Sequence, residues 1–230
     1  RKMGTDKDDP ARIRAGIIHC VSTALEQGDC WIEYEELIDQ ANTLLVMDVL
    51  DSRDRIEKTL SALIDEDTLS CSAYGGRFLV ARPDIRRMEE FLAATLAEGK
   101  RANPHFDGED DLQPMISLIA PRLLEGQRSA VLAALTHAIT LISGGAGSGK
   151  SYTVSAITNI CEEADLHVIL AAPTGKAAKR LEEVSGRRAG TIHRLLGFNG
   201  KDFARGPEDP LDTDVVVVDE VSMVDIPLAW

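Results

Sequence analysis

Apolar residues recur every four positions at Ile13, Ile17, Val21 and Leu25, the spacing of one helix face. Gly28-Asp29 ends that run. Residues 33–44 read as a second helix. Residues 51–64 read as a third, with Ile56, Leu60 and Leu63 on one side and Asp51 or Ser52 as N-cap. Residues 69–72 and 77–80 flank Tyr74-Gly75-Gly76, a hairpin signal. Residues 84–98 read as a further helix. Three helices and a two-stranded wing describe a winged-helix-like domain over residues 1–98.

Residues 99–114 carry Gly99, Asn103, Pro104, Asp107, Gly108, Asp110, Asp111 and Pro114, the composition of a linker. From 115 the pattern changes. Ile119-Ala120-Pro121 leads into a helix over 126–138, and 139–142 reads as a short buried strand. A glycine-rich loop follows, then a helix over 149–164, a strand over 167–171 and a helix over 175–184. The four valines 215–218 read as a fully buried strand. Strand and helix alternate, so the expected fold over 115–230 is α/β, a parallel sheet with helices on both faces.

Composition changes this picture in two ways. Aromatic residues are only 4% of the chain, so the core must be built from Ala, Val, Ile and Leu. The net charge of −13 argues against nucleic acid, because phosphate contacts need Lys and Arg. The average, however, conceals a segment. Residues 170–205 hold 8 basic and 3 acidic side chains, while 206–230 hold none and 7. The N-terminal hundred are acidic, which favours a structural or protein-contact role for that domain over DNA reading. Cys20, Cys30, Cys71 and Cys161 form no CxxC pair, so neither zinc nor a disulfide framework is indicated. With no apolar run of membrane-spanning length and no signal peptide in view, a cytoplasmic protein is expected.

Three motifs carry chemistry. Gly144-Gly145-Ala146-Gly147-Ser148-Gly149-Lys150-Ser151 fits G-x-x-x-x-G-K-[ST] between an expected strand and an expected helix. Its backbone N–H groups and the helix N-terminus suit phosphate oxygens. Lys150 is placed to reach the β- and γ-phosphates and Ser151 to bind Mg²⁺, so ATP with Mg²⁺ is the expected ligand. Asp219-Glu220 follows the valine strand at the sheet's C-terminal edge, where such sheets bind ligands. Asp219 suits Mg²⁺ through water, and Glu220 suits activation of the attacking water. The third motif, 171–180, includes Thr174, Gly175 and Lys176. It starts a helix at the same edge, where a plain turn and a phosphate contact fit equally well.

These residues, together with Glu125-Gly126-Gln127-Arg128, Thr191-Ile192-His193-Arg194 and Asp219-Glu220-Val221-Ser222-Met223-Val224-Asp225, resemble the RecD-like DNA helicases of superfamily one, the exodeoxyribonuclease V alpha-subunit family. The resemblance covers about 120–230. It implies a RecA-like motor, ATP-driven and moving on single-stranded DNA from 5′ to 3′, in DNA repair or recombination. It implies that Gln127 reads adenine, since an amide both donates and accepts. It implies that Thr174, Gly175, Lys176, Thr191 and His193 face DNA; for His193 a core or capping role stands beside that one.

The chain stops at Trp230, eleven residues after Asp219, before the family's second motor domain and its γ-phosphate arginine. The resemblance therefore implies an N-terminal fragment with slow hydrolysis, no unwinding and an open sheet edge. Two other readings stay open: a P-loop ATPase or kinase that never meets nucleic acid, and a winged-helix binding module with a nucleotide switch.

Overall fold

The computed structural model describes residues 8–47, 50–99, 106, 109–145 and 147–230. Ala146 and half of the expected linker, residues 100–105 and 107–108, lie outside the described residues. The chain divides into two compact units, Arg1–Ala93 with Asp225–Trp230, and Ala94–Val224.

The first unit runs α1 (Pro10–Glu26), β1 (Ile32–Glu33), α2 (Tyr34–Leu45), α3 (Ser52–Asp65), β2 (Ser70–Tyr74), β3 (Arg77–Ala81) and into α4 (Pro83–Gly99). Asp9 starts α1: its carboxylate accepts from the Ala11 N–H at 2.8 Å, with Pro10 in the first turn. Ile13, Ile17 and Val21 face the core, joined by Leu37, Ile38 and Ala41 of α2 and Ile56, Leu60 and Leu63 of α3. Leu25 is only half-buried, and Ala24 takes the buried place, because four-residue steps overrun a 3.6-residue turn. Asp51 stands at the N-cap of α3 but makes no cap bond. Its carboxylate instead accepts from Arg55 Nε at 3.0 Å. Gly75 and Gly76 both have positive φ, as a tight two-residue hairpin requires. The strands pair antiparallel in the order β1-β3-β2, with Ile32 opposite Val80 and Tyr74 opposite Arg77.

The second unit contains α5 (Glu109–Ile119), α6 (Glu125–Thr136), α7 (Lys150–Glu163), β4 (Val168–Ala172), α8 (Gly175–Ser185), β5 (Ala189–Thr191), α9 (Ile192–Leu195) and β6 (Val215–Val218). A last turn, α10 (Ile226–Ala229), groups with the first unit. Residues 109–114 are helical although their composition reads as linker, and Leu112 and Ile116 of α5 bury themselves against Val131, Leu135, Ile157 and Ile160. The sheet is parallel, in the order β5-β4-β6, with Ala172 opposite Thr191 and Ala171 opposite Val218.

Two expectations need correction. Residues 139–142 join no ladder among the described residues. Ile142 packs on the core while Leu141 is 78% exposed, so the segment keeps a strand's alternation without a strand's partner. The valine run of β6 is not fully buried: Val216 and Val218 are exposed and Val215 and Val217 half-buried. Among the described residues β6 pairs with β4 alone, and only the face that carries Val215 and Val217 is partly packed.

Candidate nucleotide and nucleic-acid site

The loop 144–151 is held by its own geometry. Gly147 and Gly149 have φ of 77° and 81°, the left-handed region that glycine enters without penalty. Gly149 is the N-cap residue of α7, so Lys150 and Ser151 open the helix. Lys150 Nζ donates to the Gly144 carbonyl and, at 3.1 Å, to the Gly145 carbonyl. A Cβ on Gly144 would stand 2.6 Å from Ser148 Oγ, and one on Gly149 would stand 2.3 Å from Gln127 Nε2. A side chain at either place would have to displace the neighbouring Ser148 hydroxyl or Gln127 amide, and at Gly149 the positive φ adds backbone strain.

Gln127 explains the second of these contacts. Its Oε1 accepts from the Leu124 N–H at 3.0 Å and its Nε2 donates to the Ser148 carbonyl at 2.9 Å. One amide caps the first turn of α6 and grips the phosphate loop. Both functions of the amide are in use, which a reading of Gln127 from sequence did not anticipate.

Asp219 and Glu220 sit where β6 leaves the sheet. The Asp219 N–H donates to the Ala171 carbonyl at 2.9 Å, one step beyond the last paired valine. Asp219 Oδ1 accepts from the Glu220 N–H at 2.9 Å. Glu220 has φ of 53°, a conformation that costs a non-glycine residue about 1–2 kcal/mol. It turns the chain out of the strand and exposes its carboxylate. No hydrogen bond or ion pair among the described residues joins Lys150 or Ser151 to Asp219 or Glu220. Ser151 Oγ and the Asp219 carboxylate are hard oxygen donors, the kind that Mg²⁺ takes.

The segments that begin at Thr174 and Thr191 share the C-terminal edge of the sheet. Thr174 follows β4 and accepts from the Ala177 N–H at 3.2 Å, capping α8. Thr191 ends β5 and accepts from the Arg194 N–H at 3.2 Å, capping α9. In each case the hydroxyl accepts and keeps its own proton to donate. His193 lies in an aromatic group, its ring centroid 5.2 Å from Phe198 and 5.8 Å from Phe203, which are 4.9 Å from each other. Motif reading missed the two phenylalanines; their spacing inside a glycine-rich, basic stretch was the available signal.

In the first unit Arg14, Arg53, Arg55, Lys58, Arg77, Arg82 and Arg86 have carboxylate partners, while the exposed Arg87 has none among the described residues. In the basic segment of the second, Lys179, Arg187 and Arg205 are paired. Lys176, Arg180, Arg188, Arg194 and Lys201 have no carboxylate partner among the described residues. Arg188 and Arg194 line a groove of about 640 Å³ along β4 and β5. Unpaired cations are free to neutralise phosphates; paired ones must first break a contact.

Residues 127–230 match the model of an AAA domain family. The chain is 38% identical over 154 residues to the ATP-dependent RecD2 DNA helicase of Deinococcus radiodurans, covering 66% of this chain and 21% of that protein. It is 38% identical over 128 residues to the RecBCD enzyme subunit RecD of Haemophilus influenzae, covering 44% and 20%. It is 36% identical over 117 residues to the ATP-dependent DNA helicase dda of Enterobacteria phage T4, covering 45% and 26%. The chain therefore spans about a fifth to a quarter of the length of these relatives.

Proposed function

We propose that this chain, a member of the RecD-like helicases, binds ATP at the loop 144–151 and single-stranded DNA along the C-terminal edge of its parallel sheet. In a full-length helicase that also carries the second motor domain, ATP hydrolysis then drives movement on the strand. The observation that carries the proposal is the placement of two helix-capping threonines, Thr174 and Thr191, with Lys176 and Arg194 close by in the chain and without carboxylate partners among the described residues, at the edge where Asp219 also lies.

In this reading Lys150 leaves the Gly144 and Gly145 carbonyls and meets the β- and γ-phosphates. Gln127 exchanges its grip on Ser148 for the adenine. Ser151 and Asp219 hold Mg²⁺, which supplies charge neutralisation to the phosphates. Glu220 takes the proton of the attacking water. Thr174, Gly175 and Lys176, with Thr191 and His193, carry the strand's backbone. The single-strand direction, 5′ to 3′, and a cytoplasmic role in DNA repair or recombination are carried over from the RecD-like resemblance.

We read the chain as an N-terminal domain over residues 1–98 and a motor part that begins with α5 at Glu109, so the linker expected over 99–114 ends before that helix. The order of elements in the first unit and its antiparallel β1-β3-β2 sheet support a winged-helix reading. The neutralised cations of α3 support protein contact over DNA contact for it: Arg53 meets Glu35, Asp39 and Glu57, and Lys58 meets Asp54.

The test is fluorescence anisotropy with a labelled single-stranded oligonucleotide across a salt series. Binding is expected, with a log–log salt slope that falls by about one when Lys176 or Arg194 is replaced by Met. A chain that binds nucleotide but neither DNA nor RNA would overturn the proposal and favour a phosphotransferase without nucleic acid.

A further inference from the structure

Arg187 makes more contacts than any other cation of the basic segment, and none of the motifs includes it. Its Nε and Nη2 donate to Glu162 Oε1 and Oε2, both at 2.6 Å, and its Nη2 also donates to Asn159 Oδ1. Its Nη1 donates to the Ser185 carbonyl at 3.2 Å, and its N–H to Ser185 Oγ at 3.2 Å. Three quarters of the side chain is buried. The guanidinium thus spans the end of α8, the approach to β5 and the last turns of α7. Asn159 and Glu162 are three apart on α7, which puts them on one face.

What lies at the far ends of these elements gives the clamp its meaning. α7 has 14 residues, about 20 Å of rigid helix, and Lys150 and Ser151 form its other end. Four residues after Arg187, Thr191 ends β5 and caps α9, which carries His193 and Arg194. Any shift of α7 on phosphate binding to the loop 144–151 would reach the strand that presents Thr191 through Arg187. A bidentate fork transmits displacement and rotation, where a single point contact would slip.

We propose that Arg187, through Glu162 and Asn159, is the positioning residue that couples the phosphate loop to the nucleic-acid edge. This rests on the function proposed above. Coupling is measured as the ratio of single-strand affinity with and without a saturating non-hydrolysable ATP analogue and Mg²⁺. By linkage, the oligonucleotide must change analogue affinity by the same ratio. A ratio of at least about five is expected for the parent chain. Arg187→Met and Arg187→Lys, the latter keeping charge but not the fork, are expected to bring the ratio close to one. Affinity for each ligand alone is expected to stay within about two-fold. The exchange pair Glu162→Arg with Arg187→Glu is expected to restore the ratio.

Melting curves establish that each variant is folded. If Arg187→Met does not fold, Arg187→Lys and the exchange pair carry the test. A lowered melting temperature with an unchanged ratio makes Arg187 a structural brace only and overturns the inference. A parent chain that binds no strand overturns the functional reading and this inference together; a parent that binds both ligands with a ratio of one overturns this inference alone.

Discussion

Gln127 donates its side-chain amide to the Ser148 carbonyl at 2.9 Å while accepting from the Leu124 N–H at 3.0 Å. The start of α6 and the phosphate loop are therefore one hydrogen-bonded piece. Gln127→Ala removes both bonds. It is expected to weaken nucleotide binding and to lower stability by roughly 1 kcal/mol, the usual effect of a lost helix cap. Gln127→Glu keeps the acceptor for Leu124 but loses the donor to Ser148. Isothermal titration with ATP, beside thermal melting, separates the two: Glu at 127 is expected to melt near the parent and bind like Ala.

Gly149 tests the same contact from the other side. Its φ is 81° and an added Cβ would stand 2.3 Å from Gln127 Nε2. Gly149→Ala meets both backbone strain and a clash, so a loss of roughly 1–3 kcal/mol is expected by denaturant titration. Combining it with Gln127→Ala removes the clash and leaves the strain. The double variant is expected to be less destabilised than the sum of the two single changes.

Thr174 and Thr191 both cap helices, so an alanine there confuses folding with binding. Asp is as good an N-cap as any residue but sets a negative charge against a phosphate. Thr174→Asp is expected to keep the parent's melting temperature and its ATP affinity, while single-strand affinity falls at least about tenfold, a loss of about 1.4 kcal/mol. Equal losses of ATP and DNA affinity would assign Thr174 to the fold or to the nucleotide site.

The Arg187–Glu162 pair also sets a pH dependence. The Arg187 hydrogen bonds hold the Glu162 carboxyl below its ordinary range. A carboxylate whose pKa is lower in the folded state stabilises the fold above its unfolded pKa, and that contribution is lost as pH falls through the folded value. Stability is thus expected to drop as pH falls below the ordinary glutamate range. Arg187→Met is expected to flatten that part of the profile, read as melting temperature against pH. Nearly half of the Glu162 side chain is exposed, so solvent screens the pair and the effect is modest.

Cys161 lies in α7 with its side chain in the core, and burial pushes its thiol up to about 11. At pH 8 only about one molecule in a thousand carries the reactive thiolate. Iodoacetamide is expected to leave Cys161 unmodified in the native protein and to modify it once denaturant unfolds the second unit, as mass spectrometry of peptides would record.

Much of this site was legible in the sequence because its chemistry is local. The glycines of 144–149, Lys150 and Ser151 must be adjacent to build a loop that feeds a helix, and Asp219-Glu220 must follow an apolar strand. The longer helices of both units were legible, apart from α5, whose acidic start and Pro114 mask a buried Leu112 and Ile116; the four-residue α9 and α10 are too short to show a period and were not anticipated. Contacts between distant positions were not legible. Nothing in the spacing joins Gln127 to Ser148, or Arg187 to Glu162 and Asn159. The run of β6 promised burial on both faces, yet hydrophobicity reports what a strand tolerates and not which neighbours it has. His193 was ambiguous for the same reason: its meaning depends on Phe198 and Phe203, which fold back beside it.

The central claim is that the loop 144–151 works for a nucleic-acid motor. It is tested most directly in a full-length version that carries the second motor domain, by the steady-state rate of ATP hydrolysis as a single-stranded oligonucleotide is titrated in. The account predicts a saturable rise in rate with the strand, abolished by Lys150→Ala and by Glu220→Gln. A rate that is measurable but indifferent to DNA and RNA at every concentration would contradict it.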